Sequence, residues 1–91
     1  MNYKIFAISG GFYYFGEEVE GPEGYVALKN FSMFGGFAGG KGLPGVARGD
    51  KSATVTLDRF SDGEIGYFPV TSCFGVLPSI NLYEFKGTTI R

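Results

Sequence analysis

The sequence predicts an all-β protein, a small strongly bent β-barrel or compact sandwich of five or six short strands with a long glycine-rich loop. Three observations point there. Ten Phe and six Tyr occur among 91 residues without a single Trp or His, and aromatic side chains favour pleated, half-buried surfaces. Sixteen glycines and four prolines punctuate the chain between the apolar runs, as turns require. No segment sustains the 3.6-residue apolar period of an amphipathic helix. Ninety-one residues make one domain, residues 1–91, close to the lower size at which a chain buries its own core.

The first strand is expected at Tyr3–Ser9, where YKIFAIS is apolar on both faces, as in a strand covered from two sides. Gly10 and Gly11 break it before FYYF and EEVE. GPEG at 21–24 is a turn signal, because Pro22 presets one dihedral and the flanking glycines accept positive φ. GYVALKNF (24–31) returns, so 12–31 reads as a hairpin. Farther on, SATVTLDRF (52–60) alternates: Ala53, Val55 and Leu57 share one face, Thr54, Thr56 and Asp58 the other. EIGYFPV (64–70) follows through Ser61-Asp62-Gly63 as its hairpin partner, and Pro69 confines that strand to an edge or a short length. A helical turn fits Thr71–Phe74. SINLYEF (79–85) is the last strand, which GTTIR extends or leaves frayed.

GYVALKNF and SINLYEF resemble the second and closing strands of Sm-like and SH3-like small barrels, including short barrel proteins of phage type. The resemblance implies a protein that forms rings and binds nucleotides or RNA, and a phage setting. It transfers no functional residue to this chain, which lacks the family's leading helix and has a longer mid-chain excursion.

That excursion, FGGFAGGKGLPGVARGD (34–50), is where a ligand is expected. Residues 35–42 approach the G-x-x-x-x-G-K pattern of a phosphate-binding loop, but Gly42 stands where Ser or Thr should ligate magnesium. Pro44 and Gly45 interrupt the region where a phosphate-receiving helix should start, so that motif and the dinucleotide pattern in GKGLPG are set aside. A weaker reading survives. Successive glycine N–H groups can converge on an anion without a helix. The candidate ligand-binding residues are Gly39, Gly40 and Gly42 for main-chain donors, Lys41, Arg48 and Lys51 for charge, and Phe34 and Phe37 for stacking. The alternative is a connector whose glycines relieve strain. RGD at 48–50 is a chance tripeptide.

Composition narrows the function classes. Without histidine, Ser-His and Cys-His nucleophilic pairs are impossible. The single Cys73 forms no internal disulfide, supports no metal site and reads as a small core residue. Asp58, Asp62 and Glu64 miss the calcium-loop spacing, and a carboxylate hydrolase stays open as a further alternative, with Glu17, Glu18 or Asp58 as candidate acids. The net charge of −1 argues against binding long nucleic acid. Charge is nonetheless segregated, with Glu17, Glu18, Glu20 and Glu23 in one stretch and Lys41, Arg48 and Lys51 in another. The opening residues lack a signal peptide's basic and apolar regions, and no apolar run approaches bilayer length. The expectation is a non-enzymatic, cytoplasmic homo-oligomer with no cofactor and no membrane contact. It would sequester a small phosphorylated or nucleotide-like ligand, in the manner of a phage anti-defence protein in its host's cytoplasm. The alternative is an inhibitor of a host protein or a self-assembling virion module that uses an aromatic surface.

Overall fold

In a computed structural model the chain is described over residues 2–59 and 63–91. These residues form seven strands in one mixed sheet: β1 (Tyr3–Ile8), β2 (Phe12–Val19), β3 (Tyr25–Ala38), β4 (Thr54–Arg59), β5 (Ile65–Pro69), β6 (Cys73–Pro78) and β7 (Thr88–Ile90). A six-residue helix, α1 (Leu43–Arg48), links β3 to β4, and a 3₁₀ turn at Val70–Ser72 precedes β6. The strand order is β6-β1-β2-β3-β4-β7, with β5 also paired to β3. The expectation of a mostly β chain holds. The sheet is open, however, with β6 and β7 at opposite ends of the order, so no barrel closes.

β1, β2 and β3 form the expected antiparallel meander, with Ile5 opposite Phe15 and Phe15 opposite Ser32. β3 is its long member, fourteen residues with strands on both sides. One side carries β2. The other carries two strands end to end: β5 pairs Tyr25–Lys29 and β4 pairs Ser32–Ala38. This corrects the expected β4–β5 hairpin, since both strands take β3 as partner. Ser61 and Asp62 of the supposed turn lie outside the described residues. Asn30 marks the junction, with φ of 52°. Its N–H donates to the Glu64 carbonyl (3.1 Å) and its side-chain oxygen accepts from the Gly63 N–H. Asn tolerates the left-handed region better than most residues, so one strand can turn there and present two successive edges.

The main core lies on the face where Ile5, Phe15, Val55 and Leu57 meet Val46 and Ala47 of α1 and Leu82 of the 79–87 segment. Tyr3 stacks on Phe15 at 5.6 Å and Tyr83 meets the same ring edge-on at 5.1 Å. On the other face Phe6 and Leu28 are fully buried, and Tyr14, Phe31 and Phe68 form a ring cluster with centroids 4.8–6.5 Å apart. Gly66 is necessary there, because a Cβ would stand 2.8 Å from the Phe31 ring. Ile5 and Phe6, neighbours on β1, are thus buried on opposite faces of the sheet.

The segment 79–85 is not a strand. Asn81 folds it into a turn: its Oδ1 accepts from the Tyr83 N–H (3.0 Å) and its Nδ2 donates to Glu84 (3.0 Å). This local bonding competes with a ladder. The turn drops Leu82 into the core and aims Tyr83 at Ser32, the buried polar residue of β3. The Tyr83 hydroxyl donates to the Asn30 carbonyl and accepts from Ser32 Oγ at 2.7 Å. The last strand is instead β7, which runs parallel to β4 with Val55 opposite Thr88.

Two outcomes follow from this packing. Tyr83→Phe removes the partner of the buried Ser32 hydroxyl, and urea unfolding should show a loss of about 1–3 kcal/mol. Burial, with smaller contributions from Glu17 and Glu84, raises the Tyr3 pKa. The unfolded tyrosine ionises first, near about pH 10, so the stability that Tyr3 contributes is complete below that pH and is lost as pH rises through the folded-state value. Urea midpoints should therefore fall less steeply above about pH 10 in Tyr3→Phe than in the wild type.

Candidate ligand-binding pocket

Parallel pairing of β4 and β7 brings the starts of both strands to the same end of the sheet, so the turns leading into them lie side by side. Between them opens a cavity of about 550 Å³ lined by Gly49, Lys51, Ala53, Thr54, Phe85, Lys86 and Gly87. Its size falls in the range of small-molecule sites.

Each wall has a local cause. α1 begins with Pro44 in its first turn, a position where the missing N–H costs nothing. It ends at Gly49 in the left-handed conformation (φ 74°), whose N–H bonds to the Val46 carbonyl at 3.0 Å. The next residues turn tightly, with the Asp50 N–H on the Gly45 carbonyl (2.9 Å) and the Ala53 N–H on the Asp50 carbonyl (2.9 Å). That turn presents Lys51. The opposite turn closes through the Thr88 N–H on the Phe85 carbonyl (3.1 Å) and presents Lys86. The Gly87 carbonyl accepts from the Val55 N–H at 3.0 Å and ties the two walls together. Among the described residues neither Lys51 nor Lys86 has an ion-pair partner, whereas Lys4 pairs with Glu18, Arg48 with Asp50 and Arg91 with Asp58, each at 2.9 Å. The pocket therefore offers two uncommitted cations, one aromatic ring and one exposed threonine.

Of the residues singled out in the sequence, the structure brings only Lys51 to this pocket. Phe34 and Phe37 sit at the end of β3, where they pack edge-on to each other (5.9 Å) and against Tyr13. Gly39, Gly40, Lys41 and Gly42 form the tight turn into α1, so the stretch 34–50 is strand, turn and helix rather than a long loop. The Gly40 N–H is already bound to Ser52 Oγ at 3.1 Å and that of Gly42 to the Gly39 carbonyl at 3.4 Å. These two amides are therefore already committed within the turn. A Cβ at Gly39 would lie 2.0 Å from the Ser52 carbonyl oxygen, so this glycine serves close backbone approach. Lys41 is exposed. Arg48 and Asp50, the outer residues of the RGD tripeptide, bind each other.

Thr54, Phe85 and Lys86 were not legible as site residues. Lys86 lies 35 residues from Lys51, and only the parallel β4–β7 register unites them.

Glu18 and Asp58 are engaged in ion pairs, and no group of three metal-ligating side chains occurs among the described residues. Cys73 is half-buried, its Sγ is 3.6 Å from the Pro69 carbonyl, and burial pushes its thiol pKa up, away from nucleophilic use. Among the described residues no helix is long and apolar enough to cross a membrane.

No protein-family model, curated protein or solved structure matches this chain.

A Cβ at Gly87 would stand 2.3 Å from the Ala53 carbonyl oxygen and 2.8 Å from the Phe85 ring. Gly87→Ala should therefore force the two walls apart and cost about 1–3 kcal/mol in urea unfolding, as overpacking does. An unchanged midpoint would show that the walls are not in contact.

Proposed function

We propose that this protein is a non-enzymatic binding protein that captures a small phosphorylated or nucleotide-like anion between the 49–52 and 85–88 turns. The observation that carries this reading is the pairing of Lys51 and Lys86 across one cavity, without counter-ions among the described residues, on a chain of net charge −1. Two ammonium groups supply charge-assisted bonds to phosphate oxygens. Phe85 and Ala53 supply an apolar wall for the remainder of the ligand, and Thr54, whose hydroxyl proton is directed at the Ala38 carbonyl (3.5 Å), supplies an acceptor oxygen. The volume suits a mononucleotide-sized molecule better than a polymer. Capture needs no acid–base group, and none lines this cavity apart from the lysines.

The test is titration of the ¹⁵N-labelled protein with inorganic phosphate and, separately, with adenosine 5′-monophosphate. Saturable shifts are expected at the amides of Lys51, Thr54, Lys86 and Gly87. The double variant Lys51→Ala/Lys86→Ala should bind more than about tenfold more weakly, since each charged hydrogen bond is worth about 1.5–3 kcal/mol. Lys41→Ala should bind as the wild type does. Shifts that persist in the double variant, or that centre on residues 39–42, would contradict the assignment.

A further inference from the structure

Two carboxylates flank the pocket lining in sequence, and both are turned elsewhere. Glu84, next to Phe85, accepts from Asn81 Nδ2 at 3.0 Å and lies close enough to Tyr3 to act on its hydroxyl. Asp50, between the two lining residues Gly49 and Lys51, is held by Arg48, whose Nη2 is 2.9 Å from Oδ2 and whose Nε is 3.4 Å from Oδ1. The direction of the Asp50 side chain is recorded by two glycines. A Cβ at Gly45 would be 3.0 Å from Asp50 Oδ2, and one at Gly40 3.7 Å from it. The carboxylate therefore lies over the turn into α1, while its two chain neighbours face the cavity.

This arrangement matters because Asp50 is adjacent in sequence to Lys51. A carboxylate free to swing would compete with a bound anion for that ammonium group and would repel the ligand directly. We infer that Arg48 is a positioning residue for the pocket: it restrains the Asp50 carboxylate against Gly40 and Gly45 and so leaves Lys51 to the ligand. Arg48 does not line the cavity, so its effect on binding runs through Asp50. The inference rests on the anion-binding reading above.

Calorimetric titration with adenosine 5′-monophosphate, at low and at high salt, tests it. Arg48→Ala should weaken binding about three- to tenfold at low salt, as expected for one screened charge contact at a partly exposed site, and by less at high salt. Arg48→Ala/Asp50→Asn should restore binding at least to the wild-type level, a recovery that loss of packing around Arg48 would not produce. Asp50→Asn alone should bind as tightly as the wild type or more tightly, which keeps the test decisive if Arg48→Ala fails to fold. Wild-type affinity in Arg48→Ala overturns the inference and leaves the pocket assignment standing. Equal weakness of Arg48→Ala and the double variant overturns it too, because Arg48 would then act through its own charge. Weakened binding in Asp50→Asn has the same consequence. Absence of binding by the wild type overturns the pocket assignment, and this inference with it.

Discussion

The rest of the molecule depends on β3 being able to serve three other strands. A fourteen-residue strand has more pairing capacity than one short partner can use, and this one is engaged on both sides: β2 pairs Ala27–Met33 along one, and β5 and β4 follow in succession along the other. The turn at Asn30 makes the succession possible by dividing one edge into two. The Tyr83–Asn30–Ser32 hydrogen bonds hold that junction from the core side, so the buried polar residue Ser32 lies close to the point where the strand changes partner. A buried hydroxyl is costly only when unpaired, and here it ties the 79–87 segment to the centre of the sheet.

Placement of the pocket follows from that division. With β4 occupying the second half of the β3 edge, its outer side is available to β7, and the short parallel pairing from Val55 to Leu57 fixes where both strands begin. A parallel pair requires a long crossover, which β5, β6 and the Asn81 turn provide. The two lysines that meet at the cavity therefore stand together because of backbone register. The electrostatic character of the site has a second origin, in the carboxylates that are kept out of it. Asp50 and Glu84 each adjoin a lining residue in sequence, yet Arg48 and Asn81 take them up.

What the sequence made legible was local. The β1–β2–β3 meander followed from the apolar runs, the Gly10-Gly11 break and the GPEG turn, each a short-range signal. The misreadings concern partners chosen over long distances or local bonds that override a pattern. SATVTLDRF and EIGYFPV read as a hairpin because Ser61-Asp62-Gly63 is a turn-type sequence, but β3 offered both strands a better edge. SINLYEF alternates well enough for a strand, yet the Asn81 side chain satisfied the backbone first. α1 was obscured because Pro44 and Gly45 are poor residues for a helix interior, although Pro44 occupies the one turn where proline is favourable and Gly45 admits the Asp50 carboxylate. For the same reason Lys51 was identifiable as a basic residue near glycines, while Lys86 resembled any exposed residue after a terminal strand.

The position of β4 is the point on which fold and pocket jointly stand, and nuclear Overhauser contacts between backbone protons measure it directly. The account predicts contacts from Val55 to Phe37 on one side and to Thr88 on the other, together with contacts from Gly66 to Leu28. Contacts between β4 and β5 in the pattern of a hairpin, with none from Val55 to Thr88, would separate the two lysine-bearing turns and contradict it.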